Sequence, residues 1–460
     1  MALIKSISGI RGTIGGAPGN CLSPLDVVKF VAAYSHFILD KNLPNKKIVV
    51  GRDGRISGEM MQAFAVNTLL SMGLDVLDAG LSTTPTIEMA VISNQAAGGI
   101  ILSASHNPKE WNALKFFNEK GEFLSAADGE KILTLAAKNK FHFASVEMIG
   151  KIIPVYDSLK NHIDAILQHP LVNKENIQRQ NFHIVVDAIN STGAIAVPAL
   201  LDALCVDNYT VLNAEVNGKF EHNPEPLPQH LQGLSGEVKK KQAHLGIAVD
   251  PDVDRLCFVC EDGSMFGEEY TLVAVADYIL QHTKGNTVSN LSSTQALKDV
   301  TEKHGGNYYA SAVGEVNVVN KMKEVHAVIG GEGNGGIIVP ELHYGRDALI
   351  GIALFLSHLA AAGKGASKLR AQYPNYFISK NKIELNDGID AAKIFESLKI
   401  KYKKQPIDTV DGLKIFFEND WVHLRTSNTE PIIRIYAESS FETTANNIAN
   451  RIQQDIRECM

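Results

Sequence analysis

Residues 46–53, KKIVVGRD, set the frame for the whole chain. Ile48, Val49 and Val50 form an apolar run too short for a helix, closed by Gly51 and charged residues, which predicts a strand. Working outward, SGEMMQAFAVNTLLSMG (57–73) has helical periodicity and stops near Gly73, and LDVLDAG (74–80) is a second strand. TPTIEMAVISN (84–94) is a second helix and GGIILSAS (98–105) a third strand, so the stretch spells βαβαβ. The pattern returns in FHIVVDAIN (182–190), AIAVPALLDALCV (194–206) and HLGIAVD (244–250). It returns again in EEYTLVAVADYILQH (268–282), NTVSNLSS (286–293), TQALKDVTEKHG (294–305) and HAVIGGEG (326–333). Three diverged α/β units with mostly parallel sheets are expected, each presenting loops at strand carboxyl ends, where such sheets bind ligands. From about Tyr376 the texture changes to the alternating strands KNKIELND (380–387), GLKIFFEND (412–420) and WVHLRTS (421–427), closed by the helical ETTANNIANRIQQDIREC (442–459). That is the pattern of a smaller α+β domain.

A chain of 460 residues exceeds one ordinary core, and several domains meeting at a cleft are expected. Acidic residues outnumber basic ones by 51 to 44, a net charge of −7, which argues against a nucleic acid as main partner. No run reaches the ~18 apolar residues of a membrane span, and MALIKSISGIRG (1–12) lacks the apolar core of a signal peptide. A soluble, cytoplasmic protein is expected, with its five cysteines reduced. Cys257 and Cys260 match a metal pair in spacing only. An offset of three in a strand points their thiols to opposite faces, so buried thiols are expected rather than zinc.

Four loops carry candidate chemistry. In ILSASHNPKEWNALKFF (101–117), Ser105-His106-Asn107-Pro108 ends a strand, where a nucleophile would be exposed. An Asn-Pro turn that merely satisfies backbone groups is the alternative. Lys115 favours chemistry, since it could reach back as proton donor or acceptor, with burial lowering its pKa toward working pH. In LGIAVDPDVDRLCFV (245–259), Asp250, Asp252 and Asp254 alternate after a strand and can converge on one hard cation if the loop curls, Mg²⁺ being the best fit. An EF-hand is rejected because its sixth position is Arg255, not Gly, and because strands flank the loop. An aspartyl phosphatase, with Asp250 carrying the phosphoryl group, stays as a rival. VIGGEGNGGII (328–338) matches a dinucleotide fingerprint in its glycines, but no helix follows. Its Glu332 and Asn334 suit sugar hydroxyls, against the alternative of a plain hairpin turn. LRTSNTEPIIR (424–434) offers Arg425, Ser427, Asn428, Thr429 and Arg434, enough to wrap a phosphate, though a polar turn between strands would look similar.

In order, Ser103-Ala104-Ser105-His106-Asn107-Pro108 with Lys115, Asp250-Pro251-Asp252-Val253-Asp254-Arg255, Gly331-Glu332 and Arg425-Thr426-Ser427-Asn428-Thr429-Glu430-Pro431 resemble the four signature loops of the α-D-phosphohexomutases. The match runs from SGIRGTIGG (8–16) and GRDGRIS (51–57) to the last domain. The resemblance implies three similar α/β domains plus a C-terminal α+β domain around a central cleft, which we place at 1–155, 156–258, 259–372 and 373–460. It implies Ser105 as the phosphoserine, and Ser105, Asp250, Asp252 and Asp254 around Mg²⁺. Lys115, His106, Arg255 and Arg11 would serve the reacting phosphoryl group. Glu332 and Asn334 would face the sugar, and Arg425, Ser427, Asn428, Thr429 and Arg434 the phosphate that stays. The reaction implied moves a phosphoryl group between the 6 and 1 positions of a hexose phosphate, through a hexose 1,6-bisphosphate that turns end for end. The protein would be a monomer or homodimer with no partner but its sugar phosphate. SASHNP (103–108) and KFF (115–117) are similar to phosphoglucosamine mutases, which favours glucosamine 6-phosphate and glucosamine 1-phosphate. Against that branch, Asn334 and Gly336 stand where it usually carries Ser and His, and Ala113 replaces a common Gly. Glucose or mannose phosphates are the alternative substrates.

Overall fold

The computed structural model describes residues 2–6, 9–385, 390–427 and 432–459. The first sheet has seven strands, in the order Leu3–Ser6, Gly9–Thr13, Trp111–Phe117, Gly98–Leu102, Lys47–Arg52, Asp75–Leu81 and Ile152–Pro154. Its Lys47–Arg52 strand pairs in parallel on both sides, as the βαβαβ pattern requires. This sheet is mixed, since half of its pairings are antiparallel. The physical reason is the serine loop. Gly98–Leu102 turns through residues 103–110 straight back into Trp111–Phe117, and a connection that short can only join antiparallel neighbours.

The second sheet runs Leu256–Cys260, Leu245–Val249, His183–Asp187, Asn208–Leu212, and the third Tyr308–Ser311, Asn286–Asn290, Ala327–Glu332, Gly336–Ile338. Each is parallel except for one closing hairpin, Leu245–Val249 with Leu256–Cys260 and Ala327–Glu332 with Gly336–Ile338. The aspartate loop and the glycine loop are the turns of those hairpins. All three α/β units therefore use one device, a strand that ends at the cleft and doubles back.

Cores follow the hydrophobic pattern. Helix Ala348–Ala362, ALIGIALFLSHLAAA, is apolar all round, and such a helix is stable only when enclosed. It lies buried in one cluster shared by the second and third units, with Phe355 stacked on Phe258 at 3.8 Å between centroids. The second and third units thus share one fused core. The fourth unit has its own core, in which helices Ala391–Lys401 and Glu442–Cys459 supply Ile394, Leu398, Ile452 and Ile456 against a sheet ordered Phe377–Glu384, Ile432–Ser439, Trp421–Thr426, Leu413–Phe416, Ile407–Asp408. The thiols of Cys257 and Cys260 enter different clusters on opposite faces of their strand, and burial raises both pKa values. Among the described residues no helix is long and apolar enough to cross a membrane.

Candidate active site

Ser105 sits in the left-handed region, φ +49°, at the start of the turn. A buried frame holds it there. Arg55 lies under the loop and donates to the carbonyls of Ser105, Asn107 (2.7 Å), Pro108 (2.7 Å) and Trp111 (3.0 Å), while its Nε reaches Asp53 Oδ2 at 3.0 Å. Ser103 Oγ donates to the same Asp53 oxygen and accepts from the Ser105 amide. The loop backbone is thus satisfied from below, leaving the Ser105 hydroxyl to point at the second unit, where it donates to Asp250 Oδ2 at 2.6 Å.

The aspartate loop does curl. Val253 takes φ +61° and its amide reaches the Asp250 carbonyl, while Ser191 and Thr192 hold the Pro251 carbonyl at 2.6 and 2.8 Å. Asp250, Asp252 and Asp254 are fully buried, with one oxygen of each within 4.8 Å of the others. Three carboxylates out of water repel, and burial together with Asp254 and Asp252 drives the Asp250 carboxyl well up. Asp252 Oδ1 and Asp254 Oδ1 have no hydrogen-bond partner among the described residues. Three buried carboxylates grouped this closely, two of them with an unpartnered oxygen, are what a hard divalent cation requires, so the donor set fits Mg²⁺.

Lys115 does reach this group, with Nζ 2.6 Å from Asp252 Oδ2 and 3.2 Å from Asp254 Oδ2, because Lys115 pairs with Ile101 across the hairpin. Its expected pKa shift is corrected. Burial alone would lower it, but Asp252 and Asp254 outweigh burial and hold the ammonium well above its ordinary value. His106 sits with Nδ1 3.3 Å from Ser105 Oγ, and burial plus the cations Arg255 and Arg11 keeps the imidazole neutral. Arg11 donates to Asn107 Oδ1 at 2.7 Å, and burial and Arg255 lower its pKa to about 10. Arg255 pairs with Glu225 at 3.1 Å.

Glu332 is buried; its Oε1 accepts from Asn290 Nδ2 at 2.9 Å and from the Gly314 amide at 3.1 Å. Asn334 spends its Oδ1 on the Gly336 amide, closing its own turn, with Nδ2 3.5 Å from Glu332 Oε2. Arg425 and Arg434 stand directly opposite on paired strands. Like charges so placed repel, and an anion between them relieves it. Arg425 Nε lies 3.4 Å from Asp411 Oδ2, which also accepts from the Val313 amide at 2.9 Å, next to the Gly314 that holds Glu332. The basic loop and the glycine loop are therefore linked through residues 313–314. Ser427 joins the hairpin through its amide to the Ile432 carbonyl, and Asn428 and Thr429 lie outside the described residues.

Four family models match in order: phosphoglucomutase/phosphomannomutase α/β/α domain I over residues 3–143, domain II over 160–263, domain III over 267–376 and the C-terminal domain over 381–455. The chain belongs to the phosphoglucomutase/phosphomannomutase family of α-D-phosphohexomutases. It is accordingly an enzyme, an isomerase of the phosphohexomutase class. Among curated phosphohexomutases it is 34% identical over 440 residues to the phosphoglucomutase/phosphomannomutase of Thermococcus kodakarensis, covering 94% of this chain and 95% of that one. It is 29% identical over 461 residues to the phosphoglucosamine/phosphogalactosamine mutase of Sulfurisphaera tokodaii, covering 99% of each. The fold matches a crystal structure of a phosphoglucomutase/phosphomannomutase family protein from Burkholderia thailandensis with a TM-score of 0.83, at 23% identity, over 99% of this chain and 96% of that one.

Three residues of this candidate site escaped the sequence. Thr84, at the start of helix Thr84–Ser93, donates to Asp252 Oδ2, and its amide reaches the Asp252 carbonyl at 2.9 Å. Arg55 braces the serine loop, and Arg346 lies between the aspartate and glycine loops. Only Arg55 had a signal, as an arginine inside GRDGRIS.

Proposed function

We propose that the enzyme interconverts glucosamine 6-phosphate and glucosamine 1-phosphate through a phosphoserine at Ser105 and a hexose 1,6-bisphosphate. The observation that carries this is the 2.6 Å contact from Ser105 Oγ to Asp250 inside a triad of buried carboxylates. Asp250, Asp252 and Asp254, with the Ser105 phosphate, would hold Mg²⁺, which when bound spreads the negative charge of the moving phosphoryl group. A sugar hydroxyl attacks the phosphorus, the bond from phosphorus to Ser105 Oγ breaks, and the proton leaving the attacking oxygen replaces the one that Lys115 gives to Ser105. Lys115, held as an ammonium, serves that exchange as a proton donor to the departing Ser105 oxygen in the forward direction. Arg11, Arg255 and neutral His106 orient the phosphoryl group. Arg425 and Arg434, with Ser427, Asn428 and Thr429, anchor the phosphate that does not move, while Glu332 grips sugar hydroxyls. Asn334, engaged in its own turn, supports Glu332. The boundaries given above divide these roles among one phosphoserine, one metal, one sugar and one phosphate domain.

The glucosamine assignment is supported by the serine loop and by relatives that bear the name phosphoglucosamine mutase. Glu332 is expected to hold hydroxyls distant from carbon 2, where these sugars differ, so glucose and mannose phosphates should turn over as side substrates. kcat/KM measured for glucosamine, glucose and mannose phosphates, with bisphosphate and Mg²⁺ supplied, tests this. Glucosamine should be preferred with appreciable side activity; a strong preference for mannose or glucose would overturn the sugar and leave the mutase.

A further inference from the structure

Gly336 and Arg346 compete for one space. A methyl group on Gly336 would lie 2.3 Å from Cδ and 3.0 Å from Cγ of Arg346, nearer than Asn334 Oδ1 at 3.1 Å. The backbone at Gly336 is not left-handed, so it is the arginine that requires a glycine there. Crossing that gap, the buried side chain delivers its guanidinium to three carboxylates: Nη1 is 2.7 Å from Glu332 Oε2, Nη2 2.8 Å from Asp254 Oδ2 and Nε 3.1 Å from Glu315 Oε2. The Arg346 amide also donates to Glu315 Oε1 at 3.0 Å. Its neighbours are pinned as well, since His343 contacts Glu88 of the first unit and Asp347 contacts His162 of the second.

We propose that Arg346 is a positioning residue for phosphoryl transfer. Its two Nη nitrogens tie the carboxylate expected to grip the sugar to a carboxylate expected to hold the cation, so that the sugar oxygen is presented in line with the Ser105 phosphate. Gly336 is the clearance that lets the arginine pass. This rests on the mutase reading above. A planar fork sets the separation of two carboxylates, which a lysine's single ammonium does not.

The test compares wild type, R346K, G336A, R346A and the G336A/R346A pair on glucosamine and glucose phosphates with glucose 1,6-bisphosphate and Mg²⁺, alongside melting midpoints and Ser105 phosphate by intact mass. R346K should melt like wild type and keep its phosphate, yet lose about 100-fold in kcat with KM changed less than about threefold, as expected when reacting groups are misplaced by about an ångström. G336A should lose at least about tenfold in wild type but no more than about twofold when Arg346 is already Ala, the signature of two residues coupled by contact. If R346A does not fold, R346K and G336A decide alone. R346K with kcat near wild type, a loss that merely tracks a lower melting midpoint, or G336A costing nothing, or costing the same factor with and without the arginine, would each overturn the proposal. Wild type that turns over no hexose phosphate would overturn the mutase reading and this proposal with it, whereas active wild type with active R346K overturns only the role of Arg346.

Discussion

Ser105 combines three properties seldom found in a surface turn serine: a left-handed backbone, burial, and a hydroxyl aimed at a carboxylate of another unit. Positive φ on a non-glycine residue is retained when the surroundings over-determine it. Here Arg55, Asp53 and Ser103 do so without using the hydroxyl. Ser105→Ala should therefore fold normally and lose mutase activity, and the purified wild type should carry phosphate on Ser105 in peptide mapping. Phosphate found on Asp250 instead, with Ser105→Ala active, would favour an aspartyl phosphatase. The anchoring and charge-spreading roles separate by kinetics. Arg425→Ala should mainly raise KM, because an anchor contacts ground and transition states alike, whereas Asp252→Asn should mainly lower kcat. Equal kcat losses in both would contradict these roles.

At the scale of elements, four strand ends deliver the site, and each strand pairs antiparallel with the strand that follows it. Lys115 is on the return strand of the serine hairpin, and Gly336 opens that of the glycine hairpin. The bracing of these turns is concentrated. Arg55 satisfies four loop carbonyls and one buried carboxylate, so Arg55→Ala leaves Asp53 uncompensated and should cost about 3–5 kcal/mol in urea unfolding. A loss under about 1 kcal/mol would show that the loop satisfies itself in another way. The hairpins also explain the limits of periodicity. The strands were legible as apolar runs, but whether a run pairs in parallel or doubles back depends on the length and closure of the turn, and apolar patterning does not encode that.

At the scale of the molecule, three units meet at a buried junction where His343 Nδ1 lies 3.3 Å from Glu88 Oε2 and its Nε2 3.2 Å from Asp347 Oδ2, while His162 Nε2 reaches Asp347 at 2.9 Å. Burial pushes the Glu88 carboxyl up to about 8, and His343, whose burial is outweighed by its contacts with Asp347 and Glu88, rises to about 10. Both folded values exceed the unfolded ones, roughly 4.3 and 6.5. Each contribution is then complete below its unfolded value and is lost as pH rises through the folded one. The melting midpoint should fall as pH rises from about 4 to about 10, and His343→Gln should flatten the alkaline part of that slope; an unchanged slope would remove His343 from the linkage. What the amino-acid sequence determined by itself was local and periodic: the α/β repeats, the change to α+β near Tyr376, and the residues Ser105, Asp250, Asp252, Asp254, Glu332 and Arg425, set in compact loops after apolar runs. Tertiary structure alone decided what lies between those loops. Thr84 opens a helix that periodicity shows but gives no chemical role, Arg346 lies outside the four loops, and the importance of both comes from reaching carboxylates of the aspartate loop 168 and 92 positions away. The protonation of Lys115 was decided in the same way, since burial pulls one way, two carboxylates 137 and 139 positions along the chain pull the other, and only their distances settle the balance.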